Sequence, residues 1–416
     1  MIREITVCPS CFSGKIEAVV SKSDAHRALI AAALAQGKSQ LSDWGDSDDI
    51  KITLAALEKM GLARREENFA LLGGGQYKEN MTIHCGQSGS TLRFLIPLSV
   101  VLGNGAVFTG EGRLMQRPLT VYQELCTERG IQWSLEGNTL TVKGHLCGGE
   151  FHVPGNISSQ FITGLCFALP QLAEDSYIHF TTPLESYSYI RMTLDTLARF
   201  GITIIKEDSG LRIPGGQKYQ PVNYRIEGDW SYGAFWLVGG AINGDVSIEN
   251  LRMPTLQGDS RVVEILKGMG ARIDVYENSV HVQKSELQGT LIDLADVPDL
   301  APVLAIAACA AHGTTEFIHA RRLRIKESDR LEAIRCMVES LGADIEAWED
   351  SFVICGRGAL RSGAVDTQHD HRMAMAGAIA SGIAQGEIRL NDKDCVAKSA
   401  PAFWEHFVKL GGLCYE

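Results

Sequence analysis

The sequence of 416 residues lacks the marks of a membrane, secreted or nucleic-acid-binding protein. Its longest apolar runs, such as residues 302–311, are too short to cross a bilayer. Its first residues alternate in polarity and do not form the apolar run of a signal peptide. The formal net charge of −11 argues against a surface that binds nucleic acid or acidic membranes. We therefore expect a cytoplasmic globular protein that contacts neither membrane nor nucleic acid.

The number and spacing of the cysteines do not indicate a disulfide framework or a zinc site. The 11 cysteines are odd in number and scattered from Cys8 to Cys414, which is typical of reduced thiols in a cytoplasmic protein. Cys8 and Cys11 form a single CxxC, and a zinc site of this kind needs a second pair. We predict no metal site.

What the sequence does contain is a repeat. Six segments begin with small or polar residues and continue as an apolar helix, and their starts lie 65 to 73 residues apart. They are "SKSDAHRALIAAALA", "GQSGSTLRFLIPLSV", "GNISSQFITGLCFAL", "GDWSYGAFWLVGGAI", "VPDLAPVLAIAACAA" and "QHDHRMAMAGAIASG". Between them runs a second series of six amphipathic helices, each closed by a glycine where a left-handed cap is needed. The closing glycines are Gly61, Gly130, Gly201, Gly270, Gly342 and Gly411.

Short β-like runs such as "ITIIK" and "ARIDVY" follow most of the amphipathic helices. The repeat is therefore a unit of about 70 residues with two helices and several strands. A chain of this length is too long to fold around a single hydrophobic core, so we expect two domains of three units each. The predicted fold is α/β, with two similar domains of βαβαββ-type units, buried apolar helices and a ligand cleft between the domains. Helix starts that point together would favour anions there.

Several motifs, in order along the whole chain, resemble the 5-enolpyruvylshikimate-3-phosphate (EPSP) synthase family. They are "SKSDAHRAL", "GQSGSTLRF", "GEGRLMQRP", "ISSQF", "VPDLAPVLA", "RIKESDRL", "DHRMAMA" and "CVAKSAP". The resemblance implies transfer of the enolpyruvyl group of phosphoenolpyruvate to the 5-hydroxyl of shikimate-3-phosphate, with release of phosphate, on the shikimate pathway to chorismate and aromatic amino acids. It also implies a discontinuous domain of residues 1–20 and 226–416, and a second domain of residues 21–225.

Both substrates are anionic, so their site needs several lysines and arginines together. By the resemblance, the residues around phosphoenolpyruvate are Lys22, Gly89, Arg93, Arg117, Gln160, Arg330, Arg372 and Lys398. Those around shikimate-3-phosphate are Lys22, Ser23, Arg27, Ser158, Ser159, Gln160, Ser186, Tyr189, Asp299 and Lys326. Gly89 would allow close approach of the turn to phosphoenolpyruvate because it has no Cβ.

Addition followed by elimination needs a base at the hydroxyl and an acid at the methylene carbon. The resemblance assigns Asp299 as the base and Glu327 to proton transfer at the methylene, and Lys22 would stabilise developing charge. The sequence does not decide which group moves which proton. No cofactor is expected because phosphoenolpyruvate carries its own leaving group, and the family implies a monomer.

Structural roles are the alternatives for several of these residues. Asp299 follows a proline and could cap a helix, and Ser158 and Ser159 could do the same. Glu327 could be a surface ion-pair partner. Asp48 and Asp49 open a helix and could cap it or face inward. His371 is expected to be structural, and Tyr232 and Trp236 are expected in the core.

The chain departs from the family pattern at two places, with Val19 and Val20 before Lys22 and with Gln87 in the "GQSGS" turn. Neither place touches the predicted charges, and we expect activity to survive. The rival functions are a UDP-N-acetylglucosamine enolpyruvyl transferase and a non-catalytic protein of the same fold. The first usually presents a reactive cysteine in the loop that here reads "GEGRLMQRP". The second would have lost its ionisable residues, and these are present.

Overall fold

The computed structural model describes residues 3–416, which divide into two compact units. Val20–Ile226 form a continuous unit, and the described residues as far as Val19 join Glu227–Glu416 in a discontinuous unit. β1 (Ile5–Cys8) and β2 (Phe12–Glu17) belong to the discontinuous unit because their ladder partners all come after residue 240. No helix in residues 3–416 is long and apolar enough to cross a membrane.

The continuous unit alternates helices with short strands. Its helices are α1 (Lys22–Leu34), α2 (Asp48–Lys59), α3 (Gly89–Leu102), α4 (Thr120–Glu128), α5 (Ser159–Ala168) and α6 (Tyr187–Arg199). Its strands are β3 (Gly37–Leu41), β4 (Arg64–Arg65), β5 (Ala70–Gly73), β6 (Thr82–His84), β7 (Ala106–Thr109), β8 (Gln132–Glu136), β9 (Thr139–Lys143), β10 (Gly149–Val153), β11 (Ser176–Phe180), β12 (Ile205–Glu207), β13 (Gly210–Ile213) and β14 (Asn223–Tyr224).

The discontinuous unit repeats this alternation. Its helices are α7 (Trp230–Asn243), α8 (Val262–Gly268), α9 (Ala301–Ala310), α10 (Arg330–Ser340), α11 (His371–Ile379) and α12 (Phe403–Lys409). Its further strands are β15 (Gly244–Glu249), β16 (Arg272–Val275), β17 (Ser279–Gln283), β18 (Leu291–Asp293), β19 (His312–Ile318), β20 (Asp344–Ala347), β21 (Ser351–Arg357), β22 (Gly363–Val365), β23 (Ile388–Leu390) and β24 (Leu413–Tyr415).

The strands form six four-stranded sheets of one topology. Their orders are β14-β3-β5-β4, β6-β7-β9-β8, β10-β11-β13-β12, β2-β15-β17-β16, β18-β19-β21-β20 and β22-β23-β1-β24. In each sheet the first pair is parallel and the other two pairs are antiparallel, as in the register of β10 with β11 and of β11 with β13. The predicted mixed α/β fold of six repeated units is confirmed.

Each unit has its own core, built around the apolar helices of the repeat. α1, α3 and α5 are buried in the continuous unit, and α7, α9 and α11 are buried in the discontinuous unit. The alternate helices bury one face only, as α2 does with Ile50, Leu54 and Leu57 at helical spacing. Each predicted closing glycine adopts a positive φ, so this part of the prediction is also confirmed.

Candidate active site

The buried helices of the two units begin with different cap residues. In the continuous unit α1, α3 and α5 are capped by Ser21, Ser88 and Ser158, whose side chains accept backbone N–H groups of the first turn. In the discontinuous unit α7 and α11 are capped by Asp229 and Asp370. An aspartate offsets the positive end of a helix, whereas a neutral serine leaves it available to an anion. The helix starts of α1, α3 and α5 therefore keep more of their positive charge than those of α7 and α11.

Lys22 is the first residue of α1, and its ammonium group is held by a buried carboxylate. Its Nζ lies 2.8 Å from Oδ2 of Asp49 in the first turn of α2. Both side chains are largely shielded from water. Of the two roles left open for Asp49, the inward one is correct, because Ser47 and not Asp49 occupies the cap position.

Arg27 lies one turn further along α1 and is buried. Its Nη1 donates to the carbonyl oxygen of Ser23 at 2.6 Å, its Nη2 to that of Tyr189 at 3.0 Å, and its Nε to the hydroxyl of Thr193 at 2.9 Å. The guanidinium also lies 5.7 Å from the ring centre of Phe94. Burial lowers the pKa of Arg27 to about 10, which still leaves it charged at neutral pH. This network brings the predicted Ser23, Arg27 and Tyr189 together.

Arg93 is placed by a break in the hydrogen bonding of α3. Pro97 has no N–H to donate to the carbonyl four residues earlier, which is that of Arg93. The hydroxyl of Tyr122 donates to that carbonyl instead, at 2.9 Å. The side chain of Arg93 then donates to Oε1 of Gln160 at 2.7 Å, and Nε2 of Gln160 donates to Ser90 at 3.0 Å. The first of these hydrogen bonds joins Arg93 of the second repeat to Gln160 of the third repeat.

Gly89 lies directly beside two predicted arginines. A Cβ at this position would lie 2.7 Å from Nη1 of Arg117 and 3.1 Å from Nη1 of Arg93. Any side chain would therefore displace Arg117. Ser88, and not Gln87, caps the helix here, so the departure from the family pattern at Gln87 leaves the cap of α3 in place.

The predicted serines of the third repeat take different positions. The side chain of Ser158 accepts a hydrogen bond from the backbone N–H of Gln160. Ser158 therefore caps α5, which is the structural role given above as an alternative. Ser159 is buried in the first turn of α5. Ser186 precedes α6 with a φ of 53°, a left-handed conformation that is unfavourable for a residue with a Cβ. Strain of this kind is common at functional sites.

In the discontinuous unit, three cations surround one carboxylate. Oδ1 of Asp299 lies 2.7 Å from Nη1 of Arg330 and 3.2 Å from Nζ of Lys326, and Oδ2 lies 3.2 Å from Nη2 of Arg372. Burial alone would raise the pKa of Asp299, but these three cations hold it well below its usual value of 3.8. Val297 and Leu300 occupy the cap positions of the 3-10 helix Pro298–Leu300 and of α9, and Asp299 lies inside that 3-10 helix.

Arg330 is only 1% exposed and joins three carboxylates. Its Nη1 binds Asp299, its Nη2 binds Glu327 at 2.7 Å, and its Nε binds Asp370 at 2.7 Å. Ser328 also donates to Asp370, at 3.1 Å. Burial disfavours the charge of Arg330, but the carboxylates outweigh it and raise its pKa. Glu327 is thus not a surface ion-pair partner, because its partner is buried.

The remaining predicted cations of this unit lie on or beside α11. The backbone N–H of Arg372 is bound by Asp370 at 3.0 Å, which fixes the first turn. Lys398 is buried at the end of the 3-10 helix Asp394–Lys398, which packs against α11. His371 is buried with Nδ1 3.6 Å from Asp370. Its burial fits the structural role expected for it.

Two clusters of candidate residues result, one in each unit. Phosphate and carboxylate groups suit the cations and helix starts of the continuous unit. Proton transfer suits the carboxylates of the discontinuous unit. Tyr232 and Trp236 lie in the core, as expected. Within residues 3–416, no group of three His, Cys, Asp or Glu side chains is arranged to hold a metal ion.

The comparisons with known proteins show the family of the chain. The profile of EPSP synthase (3-phosphoshikimate 1-carboxyvinyltransferase) matches residues 8–407. The chain belongs to the EPSP synthase family. A 3-phosphoshikimate 1-carboxyvinyltransferase of Clostridium kluyveri is 44% identical over 419 residues, covering 99% of this chain and 98% of that protein. One of Clostridioides difficile is 44% identical over 425 residues, with 98% and 97% covered.

Solved structures give the same result for the fold. An EPSP synthase of Acinetobacter baumannii matches 99% of this chain and 100% of its own with a TM-score of 0.82 and 26% identity. The similarity thus extends over both units of the chain, and the resemblance read from the motifs is confirmed.

Two residues of this EPSP synthase family member that contact predicted site residues, Asp370 and Tyr122, were not identified from the sequence. Asp370 stands inside the quoted "DHRMAMA" motif, and it lies one repeat length after Asp299. That spacing was a usable signal. Tyr122 carried no such signal, because only the packing of α4 shows that its hydroxyl replaces a missing backbone donor.

A buried hydrogen-bonded chain was also missed. The ring of His26 contacts the hydroxyl of Thr53 at 2.9 Å, Thr53 contacts Thr91 at 2.6 Å, and Thr91 donates to Ser88 at 2.7 Å. These residues come from α1, α2 and the start of α3. The chain therefore ties α1 and α2 to the start of α3, and α1 and α3 carry predicted site residues.

Proposed function

We propose that this protein transfers the enolpyruvyl group of phosphoenolpyruvate to the 5-hydroxyl of shikimate-3-phosphate and releases inorganic phosphate. The observation that carries the proposal is the single buried guanidinium of Arg330, which binds Asp299 on one terminal nitrogen and Glu327 on the other. A planar fork of this kind fixes the separation of two carboxylates. Addition followed by elimination requires two such groups, a base and an acid.

The base is Asp299. It takes the proton of the 5-hydroxyl as the hydroxyl oxygen attacks the central carbon of phosphoenolpyruvate. In the absence of substrate its three cations make it a weak base. Substrate phosphates and carboxylates compete for Lys326 and Arg372, and as those cations turn to the substrate the basicity of Asp299 rises. Binding would therefore activate the base.

Glu327 donates a proton to the methylene carbon in the addition step, which yields a tetrahedral adduct. In the elimination step Glu327 takes a proton back from the new methyl group as the C–O bond to phosphate breaks, and the proton on Asp299 leaves with the phosphate, so both carboxyl groups are restored without a cofactor. Lys22, held by Asp49, stabilises negative charge near the reacting hydroxyl.

The remaining predicted residues bind the substrates. We assign to phosphoenolpyruvate the residues Lys22, Gly89, Arg93, Arg117, Gln160, Arg330, Arg372 and Lys398. We assign to shikimate-3-phosphate the residues Lys22, Ser23, Arg27, Ser158, Ser159, Gln160, Ser186, Tyr189, Asp299 and Lys326. The assignment is supported by the burial of several charged members, because an ionic contact shielded from water is stronger; these are Arg27, Arg93, Arg330, Arg372 and Lys398.

Phosphate release tests the proposal. The purified chain is incubated with phosphoenolpyruvate and either shikimate-3-phosphate or UDP-N-acetylglucosamine. We expect phosphate with the first acceptor only, and release with the second alone would favour the rival transferase. Asp299→Asn and Glu327→Gln should each lower kcat at least about 100-fold. Asp245→Asn, which changes an exposed carboxylate on β15, is the matched control and should leave kcat within twofold.

We also propose a monomer in the cytoplasm. All 11 cysteines are free, which suits a reducing compartment. Light scattering during gel filtration would test the monomer, and a mass of twice 45.3 kDa would contradict it.

A further inference from the structure

The hydroxyl of Tyr122 lies between two buried helices of the continuous unit. Tyr122 is in the first turn of α4 and is only 1% exposed. Its hydroxyl oxygen lies 2.9 Å from the carbonyl oxygen of Arg93 on α3 and 2.9 Å from that of Phe161 on α5. One hydroxyl proton is therefore shared by two backbone acceptors. The bond joins α3 and α5 at Arg93 and next to Gln160, two residues assigned above to phosphoenolpyruvate.

The carbonyl of Arg93 depends on this hydroxyl more than an ordinary helical carbonyl would. Pro97 removes the N–H that would otherwise bind it, so the hydroxyl supplies the donor that α3 lacks. A buried carbonyl left without a donor is costly. Burial raises the pKa of Tyr122 well above its usual value, so the hydroxyl keeps its proton and remains a donor.

The backbone of α5 leaves room for the hydroxyl at Gly164. A Cβ at this position would lie 2.3 Å from the hydroxyl oxygen of Tyr122 and 2.4 Å from the carbonyl oxygen of Arg93. Both distances are too short for a side chain to be accommodated without displacing these groups. The close approach of α3 to α5 therefore depends on the glycine, and the hydroxyl fills the space beside it.

The guanidinium of Arg93 is held by the same neighbours as its carbonyl. Its Nη2 donates to the carbonyl of Pro118 at 3.0 Å, and the group lies 5.1 Å from the ring centre of Phe161. The ring of Tyr122 meets that of Phe161 edge to face, with centres 4.9 Å apart. The segment that continues from Arg117 into α4 is thus bound to Arg93 at both its backbone and its side chain.

We propose that Tyr122 is a positioning residue for phosphoenolpyruvate, because its hydroxyl fixes the turn of α3 from which Arg93 extends. Without the hydroxyl the carbonyl of Arg93 has to shift toward another donor, and the guanidinium shifts with it. A displacement of about 1 Å in a site is enough to weaken its action strongly. The inference rests on the proposed function and deepens it by naming a residue that acts through Arg93.

Tyr122→Phe tests the proposal, because it removes the hydroxyl and keeps the ring. In the phosphate assay at pH 7.5 we expect KM for phosphoenolpyruvate to rise at least about fivefold. KM for shikimate-3-phosphate should stay within about twofold, because Arg93 and Arg117 are assigned to phosphoenolpyruvate alone.

Tyr219→Phe is the matched control. Tyr219 is also 1% exposed, and its hydroxyl donates at 2.7 Å to the carbonyl of Phe167, near the other end of α5 from Gln160. The control loses a buried hydrogen bond from tyrosine to the same helix, so it measures the general effect of such a loss. Its KM for both substrates should stay within about twofold of the wild type.

A second background tests the mechanism itself. Pro97→Ala gives α3 a backbone N–H at the position that reaches the carbonyl of Arg93. The hydroxyl is then no longer the donor on which this carbonyl depends. In the Pro97→Ala background, Tyr122→Phe should therefore change KM for phosphoenolpyruvate by less than about twofold.

The same background keeps the inference testable if Tyr122→Phe alone does not fold. An unchanged KM for phosphoenolpyruvate in Tyr122→Phe, or an equal rise of KM for both substrates, would overturn the inference. So would a fivefold loss that persists in the Pro97→Ala background, or a double variant that does not fold. Wild-type turnover would leave the proposed function standing in each of these cases, whereas a wild-type chain that releases no phosphate would overturn both.

Discussion

The buried carboxyl of Asp259 should make the chain less stable at neutral pH than it would be with an amide at that position. The pKa of Asp259 is about 6 in the folded chain and 3.8 is the usual value for an exposed aspartate. Between those values the folded state binds a proton that the unfolded state has lost, so stability falls as pH rises. The full cost at pH 7 is about 3 kcal/mol, since a tenfold change in an equilibrium is worth about 1.4 kcal/mol.

Asp259→Asn removes this titration and leaves the other ionisable groups in place. The difference in unfolding free energy between variant and wild type should move by about 2 kcal/mol in favour of the variant between about pH 4.5 and pH 7.5. Urea unfolding at several pH values measures it through tryptophan fluorescence. Four of the six tryptophans lie in the same unit as Asp259, at positions 230, 236, 348 and 404.

The change with pH is more informative than the absolute stability of the variant. An amide has two N–H donors, and leaving them unsatisfied costs about 1 to 3 kcal/mol at every pH. That cost changes the difference in unfolding free energy by the same amount at every pH, so the dependence of the difference on pH is unchanged. A difference between variant and wild type that stays constant from about pH 4.5 to pH 7.5 would refute the reasoning, because it would show that Asp259 titrates alike in the folded and unfolded chains.

Three other substitutions test the two clusters. Arg330→Met should lower the unfolding free energy by about 3 to 5 kcal/mol in urea, because it leaves buried carboxylates without their cation, and a loss below 1 kcal/mol would contradict this. Asp49→Asn should lower kcat about tenfold in the phosphate assay, because Lys22 would lose the carboxylate that positions it. Asp48→Asn changes an exposed carboxylate in the same turn and should leave kcat unchanged. Gly89→Ala should raise KM for phosphoenolpyruvate at least about tenfold by displacing an arginine, and Gly268→Ala, with open space around it, should leave KM unchanged.

The repeat made much of the fold predictable, because helix period and closing glycines are local properties of the chain. The candidate site residues were predicted from the motifs of the family, and the structure arranges them in two clusters, one in each unit. What could not be predicted is which charges pair. The motifs give no sign that each nitrogen of Arg330 also binds a protein carboxylate. Such pairing depends on side chains from three separate segments, and no local pattern encodes it.

The cap residues show how one repeated unit can support two kinds of chemistry. A serine cap satisfies backbone N–H groups without adding charge, so the helix start and the nearby cations together still attract an anion. An aspartate cap satisfies the same groups and adds a negative charge, which must be balanced by arginine or lysine. In the discontinuous unit Arg330 balances the Asp370 cap, and it also binds Asp299, whose other oxygen binds Arg372. Exchange of a cap from serine to aspartate therefore changes a helix start from a place that binds anions into one that orders carboxylates and their cations. The three serine caps and the two aspartate caps thus give the repeated helix starts different local charge, although the repeat itself is the same.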